Sequence, residues 1–148
     1  MKKLVFLGGT VGNNNWRDLV IKSLSELSSM QIDVSQIFNP VVKDWNDEAQ
    51  AKEEEAKKNA THFLFYIADP KQEGISLSAY SMVEATMALY DNQEKTVVVF
   101  DEEGIAGHSL KAMKQTQKVL KARFPNANIL ASQSEALNWL KSELAEAI

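Results

Sequence analysis

The sequence predicts a single α/β domain: a doubly wound, five-stranded parallel sheet between two layers of helices, three layers in all. Short apolar runs rich in β-branched and aromatic residues alternate with longer amphipathic segments, which is typical of βα units. At 148 residues the chain has the length of one ordinary domain, without a repeat, linker or low-complexity tract. We therefore expect one domain over residues 1–148.

Two βα units are predicted in the first part of the chain. The apolar run 4–7 predicts a buried strand that ends at the following glycines, and a segment with apolar residues at helical spacing comes next. Ile37-Phe38 predicts a short second strand. Segment 47–58 is rich in Glu, Lys and Ala, which are strong helix formers, so it predicts an exposed helix; Asp47 and Gln50 have capping-box spacing at its start.

Three further units complete the predicted fold. The run 63–67 is apolar throughout, as expected of an interior parallel strand, and a helix is predicted from about Ser78 to Tyr90. Residues 97–100 predict the fourth strand. A helix, a short strand at 129–130 and a last helix follow, which gives five strands and five helices.

Composition excludes several classes of function. With a formal net charge of -4 and no basic stripe, the chain is not expected to bind a nucleic acid polymer. It contains no cysteine, which excludes thiol nucleophiles, and no run of about 20 apolar residues, so we expect a cytoplasmic protein without a membrane partner. His62 and His108 are isolated in the sequence, and we expect neither a metal site nor another cofactor.

The loops that follow the strands are the expected place for a ligand, because helix N-termini and free backbone N–H groups converge at the C-terminal edge of such a sheet. The loop 8–15 is rich in glycine but lacks the third glycine of a dinucleotide fingerprint and the Gly-Lys-Ser/Thr of a phosphate loop. Two interpretations stay open for it: a tight turn capped by asparagine, or a loop whose backbone approaches a ligand closely.

Four sequence blocks, in order along residues 4 to about 100, resemble the nucleoside 2-deoxyribosyltransferase-like family. They are Phe6 to Thr10, Trp16-Arg17, Phe38 to Trp45, and Ser76 to Glu84. The resemblance implies a flavodoxin-like fold and a glutamate, Glu84 by position, that attacks the anomeric carbon of a nucleoside or nucleotide sugar. Because the family commonly forms oligomers in which a neighbour completes the active site, it also implies a homo-oligomer.

The chemistry of Glu84 agrees with that implication. A carboxylate must be ionised to attack an oxocarbenium-like centre, and a position in the first turns of a helix is expected to lower its pKa. The covalent glycosyl-enzyme would be resolved by water, which is hydrolysis, or by another base, which is transfer. The alternative is structural: Ser81 and Glu84 have the spacing of a capping box.

A departing base also needs a proton donor. In the arrangement that the resemblance implies, Glu53 or Glu54 is the carboxyl group nearest to the departing base. Asp44 and Asp69 are alternative candidates for the proton donor. Each has a structural alternative, since a run of three glutamates is often a solvated helix face and an aspartate before proline often forms a turn.

The residues expected to bind substrate lie in the loops and helix starts along the same edge. They are Gly8, Gly9, Thr10, Asn39, Asp44, Trp45, Asp69, Ser78 and Ser81. Asn39 and Asp44 would hydrogen-bond the sugar or base, or else form a capped turn. Trp45 would stack on a base, or else be buried against the second helix.

The chain departs from the family at two places. The family has a tyrosine near the end of the first strand that orients the nucleophile, whereas Phe6 and Leu7 have no hydroxyl. Serines, including Ser76, occupy the stretch where the family has an aspartate ahead of the nucleophile. Two functions therefore stay open: an enzyme that cleaves or exchanges the N-glycosidic bond, and a non-catalytic sensor of a nucleotide or an ADP-ribose-like ligand.

Overall fold

The computed structural model describes residues 3–26, 34–75 and 77–144, so Ser76 of the serine-rich stretch lies outside the described residues. The strands are β1 (Val5–Gly9), β2 (Ile37–Phe38), β3 (His62–Ile67), β4 (Thr96–Phe100) and β5 (Asn128–Leu130). The helices are α1 (Trp16–Ser25), α2 (Asp47–Asn59), α3 (Ala79–Asn92), α4 (Gly107–Arg123) and α5 (Gln133–Leu144). Short 3-10 turns precede β2 and β4.

The sheet is parallel throughout and has the strand order β2-β1-β3-β4-β5. This is the order of flavodoxin-like folds, in which the chain reverses its direction of winding between β1 and β3. The predicted doubly wound sheet of five strands is therefore confirmed. Its crevice for ligands is expected at the C-terminal ends of β1 and β3.

Helices cover both faces of the sheet, and each face has its own apolar core. On one face α1 and α5 pack over Leu7, whereas on the other α2, α3 and α4 pack over Phe6. Neighbouring strand residues point to opposite faces, so of these two side chains Phe6 is the one directed towards the layer that contains α2 and α3. Burial of each such large side chain contributes about 1.5–3 kcal/mol to stability.

Strand β1 is longer than the sequence predicts, because Gly8 and Gly9 belong to it and pair with Phe65 and Tyr66 of β3. Gly9 has a φ of +131°, and a Cβ there would collide with the carbonyl oxygen of Tyr66. Glycine is therefore required for the close approach of β1 and β3. The sequence indicated a break at these glycines because their extended pairing depends on a partner strand that lies more than 50 residues away.

Helix α2 begins where the sequence predicts, but a different residue caps it. The side chain of Asn46 accepts a hydrogen bond from the backbone N–H of Ala49 at 2.8 Å. The predicted capping box of Asp47 and Gln50 is wrong, since the Gln50 amide instead donates to the Glu54 carboxylate at 3.4 Å. Asp47 lies in the first turn, where a negative charge interacts favourably with the helix dipole. Within the described ranges, no helix has the length and apolar character needed to cross a membrane.

Candidate active site

A pocket of about 460 Å³ lies beyond the C-terminal half of β1, on the face of the sheet that carries α2 and α3. Phe6, Gly8 and Gly9 line it from β1, and the 40–45 segment, α2 and α3 supply the other walls. Seven residues predicted from the sequence line this pocket together: Gly8, Gly9, Trp45, Glu53, Ser78, Ser81 and Glu84. The sequence prediction that these blocks converge at one edge of the sheet agrees with this arrangement.

Two glutamates meet one lysine at the pocket. Glu53 and Lys57 lie one turn apart on α2, and Glu84 lies in the second turn of α3. Lys57 Nζ is 3.0 Å from Glu53 Oε1 and contacts Glu84 Oε2 as an ion pair. The side chains of Glu53 and Glu84 are only 9% and 11% exposed, so both carboxylates are largely removed from water.

The pKa of Glu84 is raised above its ordinary value, mainly by burial and further by the nearby Glu53, although Lys57 acts in the opposite direction. The expected lowering by the helix start is therefore wrong. Helix α3 is capped at Ser78, which places Glu84 beyond the first turn, where the unpaired N–H groups and the dipole act most strongly. Burial lowers the pKa of Lys57, but its hydrogen bonds to Glu84 and Glu53 outweigh burial and raise it.

The serines at the start of α3 cap the helix without Glu84. Ser78 Oγ accepts a hydrogen bond from the Ser81 backbone N–H at 3.1 Å and donates one to Ser81 Oγ at 2.7 Å. The capping-box alternative for Ser81 and Glu84 is wrong, because the N-cap is Ser78. The Glu84 carboxylate is thus not part of the cap of α3.

Arg17 is a charged pocket residue to which the sequence assigned no role. It is 7% exposed, and its Nε, Nη1 and Nη2 atoms donate to the carbonyl oxygens of Leu7, Thr10 and Gly9 at 3.2, 2.9 and 3.0 Å. Burial lowers the pKa of Arg17 to about 10, against the opposing effect of Glu84 and Glu53, so it remains a cation at neutral pH. The Trp16-Arg17 block of the family resemblance was the one signal that could have identified it.

Tyr80 is a second residue that the sequence did not single out. Lys57 Nζ donates to its hydroxyl at 3.4 Å, and the same ammonium lies 5.3 Å from the Tyr80 ring centre. Phe6 faces the ammonium from β1, with 5.6 Å between Nζ and its ring centre. Tyr80 precedes Glu84 by one helical turn, but identifying it required knowing which face of α3 is turned towards α2.

Trp45 stands at the mouth of the pocket with its side chain in solvent. It is 56% exposed, so the alternative in which it is buried against the second helix is wrong. Val41 and Val42 line the same mouth and are 52% and 46% exposed. This apolar rim can contact a ligand without rearrangement of the core.

Asp44 and Glu54, two candidate acids, do not line this pocket. Both are exposed, and Glu54 accepts its hydrogen bond from Gln50 on the solvent side of α2. Glu53 is the acid of the glutamate run that the fold turns inward. The sequence could not separate Glu53 from Glu54 because only the position of the sheet decides which face of α2 is buried.

Three side chains that were predicted to bind substrate instead form hydrogen bonds with backbone groups of the loops. Thr10 Oγ1 donates to the Ala68 carbonyl oxygen at 3.1 Å and accepts from the Ala68 N–H at 2.9 Å, which joins the ends of β1 and β3. Asn39 Oδ1 accepts from the Val41 N–H at 3.0 Å, as in a capped turn, and Asn39 lines an adjoining pocket of about 290 Å³ that shares Arg17. Asp69 Oδ1 accepts from the Lys71 N–H at 3.0 Å.

Asp69 also lies away from Glu84, because it lines a separate pocket of about 110 Å³ with Trp16 and Tyr66, over the opposite face of the sheet. Two asparagines of the first loop bind the segment after β3: Asn13 Nδ2 donates to the Lys71 carbonyl oxygen at 3.3 Å, and Asn14 Nδ2 donates to the Asp69 carbonyl oxygen at 2.9 Å. Asn15 is at the N-cap position of α1, but its side chain forms no capping hydrogen bond. Among the residues with described positions, no three His, Cys, Asp or Glu side chains are grouped to hold a metal ion.

Comparison with known protein families gives a match. The family model described as "Nucleoside 2-deoxyribosyltransferase like" matches residues 2–103, which include β1 to β4, α2, α3 and both pocket glutamates. No curated protein matches the chain. The match extends over more than half of the chain and covers all the residues that line the 460 Å³ pocket.

Proposed function

The chain belongs to the nucleoside 2-deoxyribosyltransferase-like family, and we propose that it cleaves the N-glycosidic bond of a nucleoside or nucleotide, or transfers its 2-deoxyribosyl group, through a covalent intermediate on Glu84. The observation that carries this proposal is the placement of Glu84, a largely buried carboxylate, in one pocket with a second carboxylate, Glu53. Enzymes that catalyse substitution at an anomeric carbon with retention of configuration usually have two carboxyl groups beside the sugar.

In the first step a carboxylate oxygen of Glu84 forms a bond with C1′ as the C1′–N bond breaks. The electron pair of that bond moves to the base nitrogen, which takes up a proton. Glu53 in its acid form is the donor that we assign, because it is the second carboxyl group of the pocket. The products are a glycosyl ester on Glu84 and the free base.

In the second step the acceptor attacks C1′, and the bond between C1′ and Glu84 breaks, which returns the electron pair to the carboxylate. If the acceptor is water, its proton passes to Glu53 and the net reaction is hydrolysis. If the acceptor is a second base, its N–H proton passes to Glu53 and the net reaction is transfer. Either route restores the starting protonation of both glutamates.

Other pocket residues suit the binding of such a substrate. Gly8 and Gly9 line the pocket, and a Cβ at either position would meet Phe65 or Tyr66 of β3, so these glycines shape the pocket by letting β1 pack closely on β3. Ser78, Ser81 and Trp45 line the pocket, and in this proposal the two hydroxyls would hydrogen-bond the sugar while the exposed Trp45 ring would stack on the base. The volume of about 460 Å³ falls within the range of small-ligand pockets. We also propose a homo-oligomer, whose neighbouring chain would cover the open, apolar rim.

The test follows base release and base exchange by chromatography, with a panel of deoxynucleosides, ribonucleosides, their 5′-monophosphates and NAD. Glu84→Gln is expected to abolish both reactions, whereas Glu55→Gln, which changes an exposed glutamate of α2, retains them. A mass increase equal to one glycosyl group on the peptide that contains Glu84 supports the covalent step. Base release that survives in Glu84→Gln contradicts the assigned mechanism.

A sensor is the second candidate function. It is favoured by Phe6, whose ring carries no hydroxyl and lies beside the charged cluster formed by Glu53, Lys57 and Glu84. In that case the same pocket would hold a nucleotide or an ADP-ribose-like ligand intact. The expected result is then a ligand that raises the melting temperature by mass action and is recovered unchanged after hours. Release of free base in the wild-type protein would contradict the sensor.

A further inference from the structure

We propose that Lys57 is a positioning residue of this site, which holds the Glu84 carboxylate charged and directed into the pocket from the neighbouring helix. This inference rests on the proposed function of Glu84 as nucleophile. It adds a residue from α2, a helix that the sequence indicated to be an exposed element. It also answers how the nucleophile is oriented when β1 has no hydroxyl to offer.

The contacts of Lys57 fix its ammonium group on several sides. Nζ contacts Glu84 Oε2, lies 3.0 Å from Glu53 Oε1 and donates to the Tyr80 hydroxyl at 3.4 Å. The Phe6 and Tyr80 rings lie 5.6 and 5.3 Å from it, within the range of cation–π attraction. The Lys57 side chain is 27% exposed, so most of it lies against protein. A lysine held in this way loses little of its remaining freedom when a ligand enters.

In the part of the chain that the structure describes, Lys57 is the one cationic side chain in contact with the Glu84 carboxylate. Arg17, the other buried cation nearby, uses a hydrogen on each of its three guanidinium nitrogens for backbone carbonyl groups of the first loop. Phe6 faces the cluster without a hydroxyl, and Leu7 packs on the opposite face of the sheet. The orientation of Glu84 therefore depends on α2 rather than on β1.

The electrostatics of the cluster explain why Glu84 requires such a partner. Burial and the adjacent Glu53 both disfavour the charged form of Glu84, and Lys57, which is in direct contact with the carboxylate, favours it. The Arg17 guanidinium acts in the same direction as Lys57 through its charge. An opposite charge in direct contact strengthens as water is excluded, because the effective dielectric constant falls. Entry of a substrate would remove more water, so the importance of Lys57 increases when the ligand is bound.

Lys57 also remains paired through the reaction. When Glu84 becomes an ester its negative charge is consumed, and Glu53, which lies 3.0 Å from Nζ, is the carboxyl group left beside the ammonium. Once Glu53 has given its proton to the departing base, its carboxylate pairs with the ammonium, so a buried cation is not left unpaired, which would be costly. The i, i+4 spacing of Glu53 and Lys57 on α2 provides this arrangement.

The same helix offers a matched control. Lys52 pairs with Glu48 at 3.4 Å, also at i, i+4 spacing, but both side chains are in solvent, at 68% and 78% exposure. Lys52→Met therefore removes a lysine–glutamate pair of α2 without touching the pocket. Lys57→Arg keeps the positive charge at the pocket and serves as the rescue variant.

The first experiment needs no turnover. The titration of the Glu84 carboxyl carbon is followed by NMR in protein labelled with 13C at glutamate Cδ, with the resonance assigned by its loss in Glu84→Gln. In Lys57→Met we expect Glu84 to titrate about 1 pH unit or more higher than in the wild type. Lys52→Met leaves it unchanged, and Lys57→Arg returns it close to the wild-type value. An unshifted titration in folded Lys57→Met overturns the proposal.

If Lys57→Met does not fold, a second variant tests the proposal. Lys57→Gln removes the positive charge but keeps a polar side chain at this position, so Glu84 is expected to titrate higher than in the wild type. A titration that stays the same or moves downward overturns the proposal as well. Both measurements read Glu84 directly, and so they succeed or fail independently of any catalytic activity.

Kinetics then connect the titration to the reaction. In the pH profile of base release, the acid limb is expected to move to higher pH in Lys57→Met, with kcat reduced about 100-fold at neutral pH and KM changed far less. An unmoved limb contradicts the positioning role even where kcat falls. The proposed function has a separate criterion, since it fails on base release in Glu84→Gln whatever the Lys57 variants do.

Discussion

The guanidinium of Arg17 donates a hydrogen bond from Nη2 to the carbonyl oxygen of Gly9 at 3.0 Å, which joins the first turn of α1 to the pocket end of β1. Two more bonds, to Leu7 and Thr10, complete the attachment. A buried arginine therefore organises the loop on which the pocket is built.

Arg17→Met is expected to lower the free energy of unfolding by about 2–4 kcal/mol, because buried carbonyl groups lose charged donors and have no replacement. Urea denaturation followed by circular dichroism measures the loss. The matched change is Lys22→Met, which removes a cation from the last turn of the same helix and is expected to cost less than about 1 kcal/mol. Equal losses in the two variants would contradict the structural role of Arg17.

Gly9→Ala is expected to destabilise the protein by about 2–4 kcal/mol, since the backbone conformation at φ +131° disfavours a side chain and the new methyl group meets the Tyr66 backbone. Gly74→Ala is the control, because Gly74 also has a positive φ, +82°, but a Cβ there meets no atom within 4 Å. The control is expected to lose only about 1–2 kcal/mol. A Gly9 variant as stable as the control would show that β1 and β3 can move apart.

Acid pH is expected to weaken the fold through His62. Burial lowers the pKa of His62, and its Nε2 lies 3.5 Å from Glu143 Oε2, with Lys95 and Lys3 opposing its protonation. The unfolded chain then binds a proton at a higher pH than the folded chain does. The stability contribution is complete above the unfolded value of about 6.5 and is lost as the pH falls towards the folded value.

The check on His62 is the urea midpoint measured in steps between about pH 7.5 and 5. His62→Gln is expected to flatten the decline in this range, because it removes the group that the unfolded state protonates first. His108→Gln changes an exposed histidine of α4 and retains the decline. A decline of equal size in all three proteins would assign it to other groups.

Trp45→Ala is expected to weaken nucleotide binding about 10-fold or more, since stacking of a base on an aromatic ring contributes about 1–3 kcal/mol. The melting temperature should change little, because the ring is 56% exposed and contributes little to the core. Calorimetry with a nucleoside monophosphate measures the affinity, and Trp45→Phe is expected to recover part of it. An unchanged affinity in Trp45→Ala would remove this tryptophan from the binding surface.

The sheet could be predicted from the sequence because its strands are short apolar runs between polar loops. Ile37-Phe38, for example, is the predicted strand residue for residue. The extension of β1 through Gly8 and Gly9 could not be predicted, since glycine favours no strand by itself and the pairing partner is remote in sequence. The residue that caps α2 was misplaced, and the capping-box alternative for α3 named Ser81 where Ser78 is the cap, because several neighbouring polar residues can cap and the loop geometry selects one.

Some residues of the site could likewise be predicted from the sequence, and others could not. Glu84 and Ser78 could be placed at the pocket from the resemblance, but Glu53 could not be distinguished from Glu54 until the buried face of α2 was known. Lys57 lies 27 residues before its partner Glu84, on a helix whose composition predicts that it is exposed to solvent. Arg17 is buried against the usual preference of its residue type, and hydrophobic periodicity does not identify such a residue.

The rim formed by Val41, Val42 and Trp45 is made of exposed side chains that the core does not depend on, whereas Phe6, which also lines the pocket, is fully buried in the core. The residues expected to determine which ligand is bound are therefore different from the residues that stabilise the fold. Libraries randomised at these three positions should retain folded members at high frequency, and they offer a direct route to engineering which compound the protein accepts.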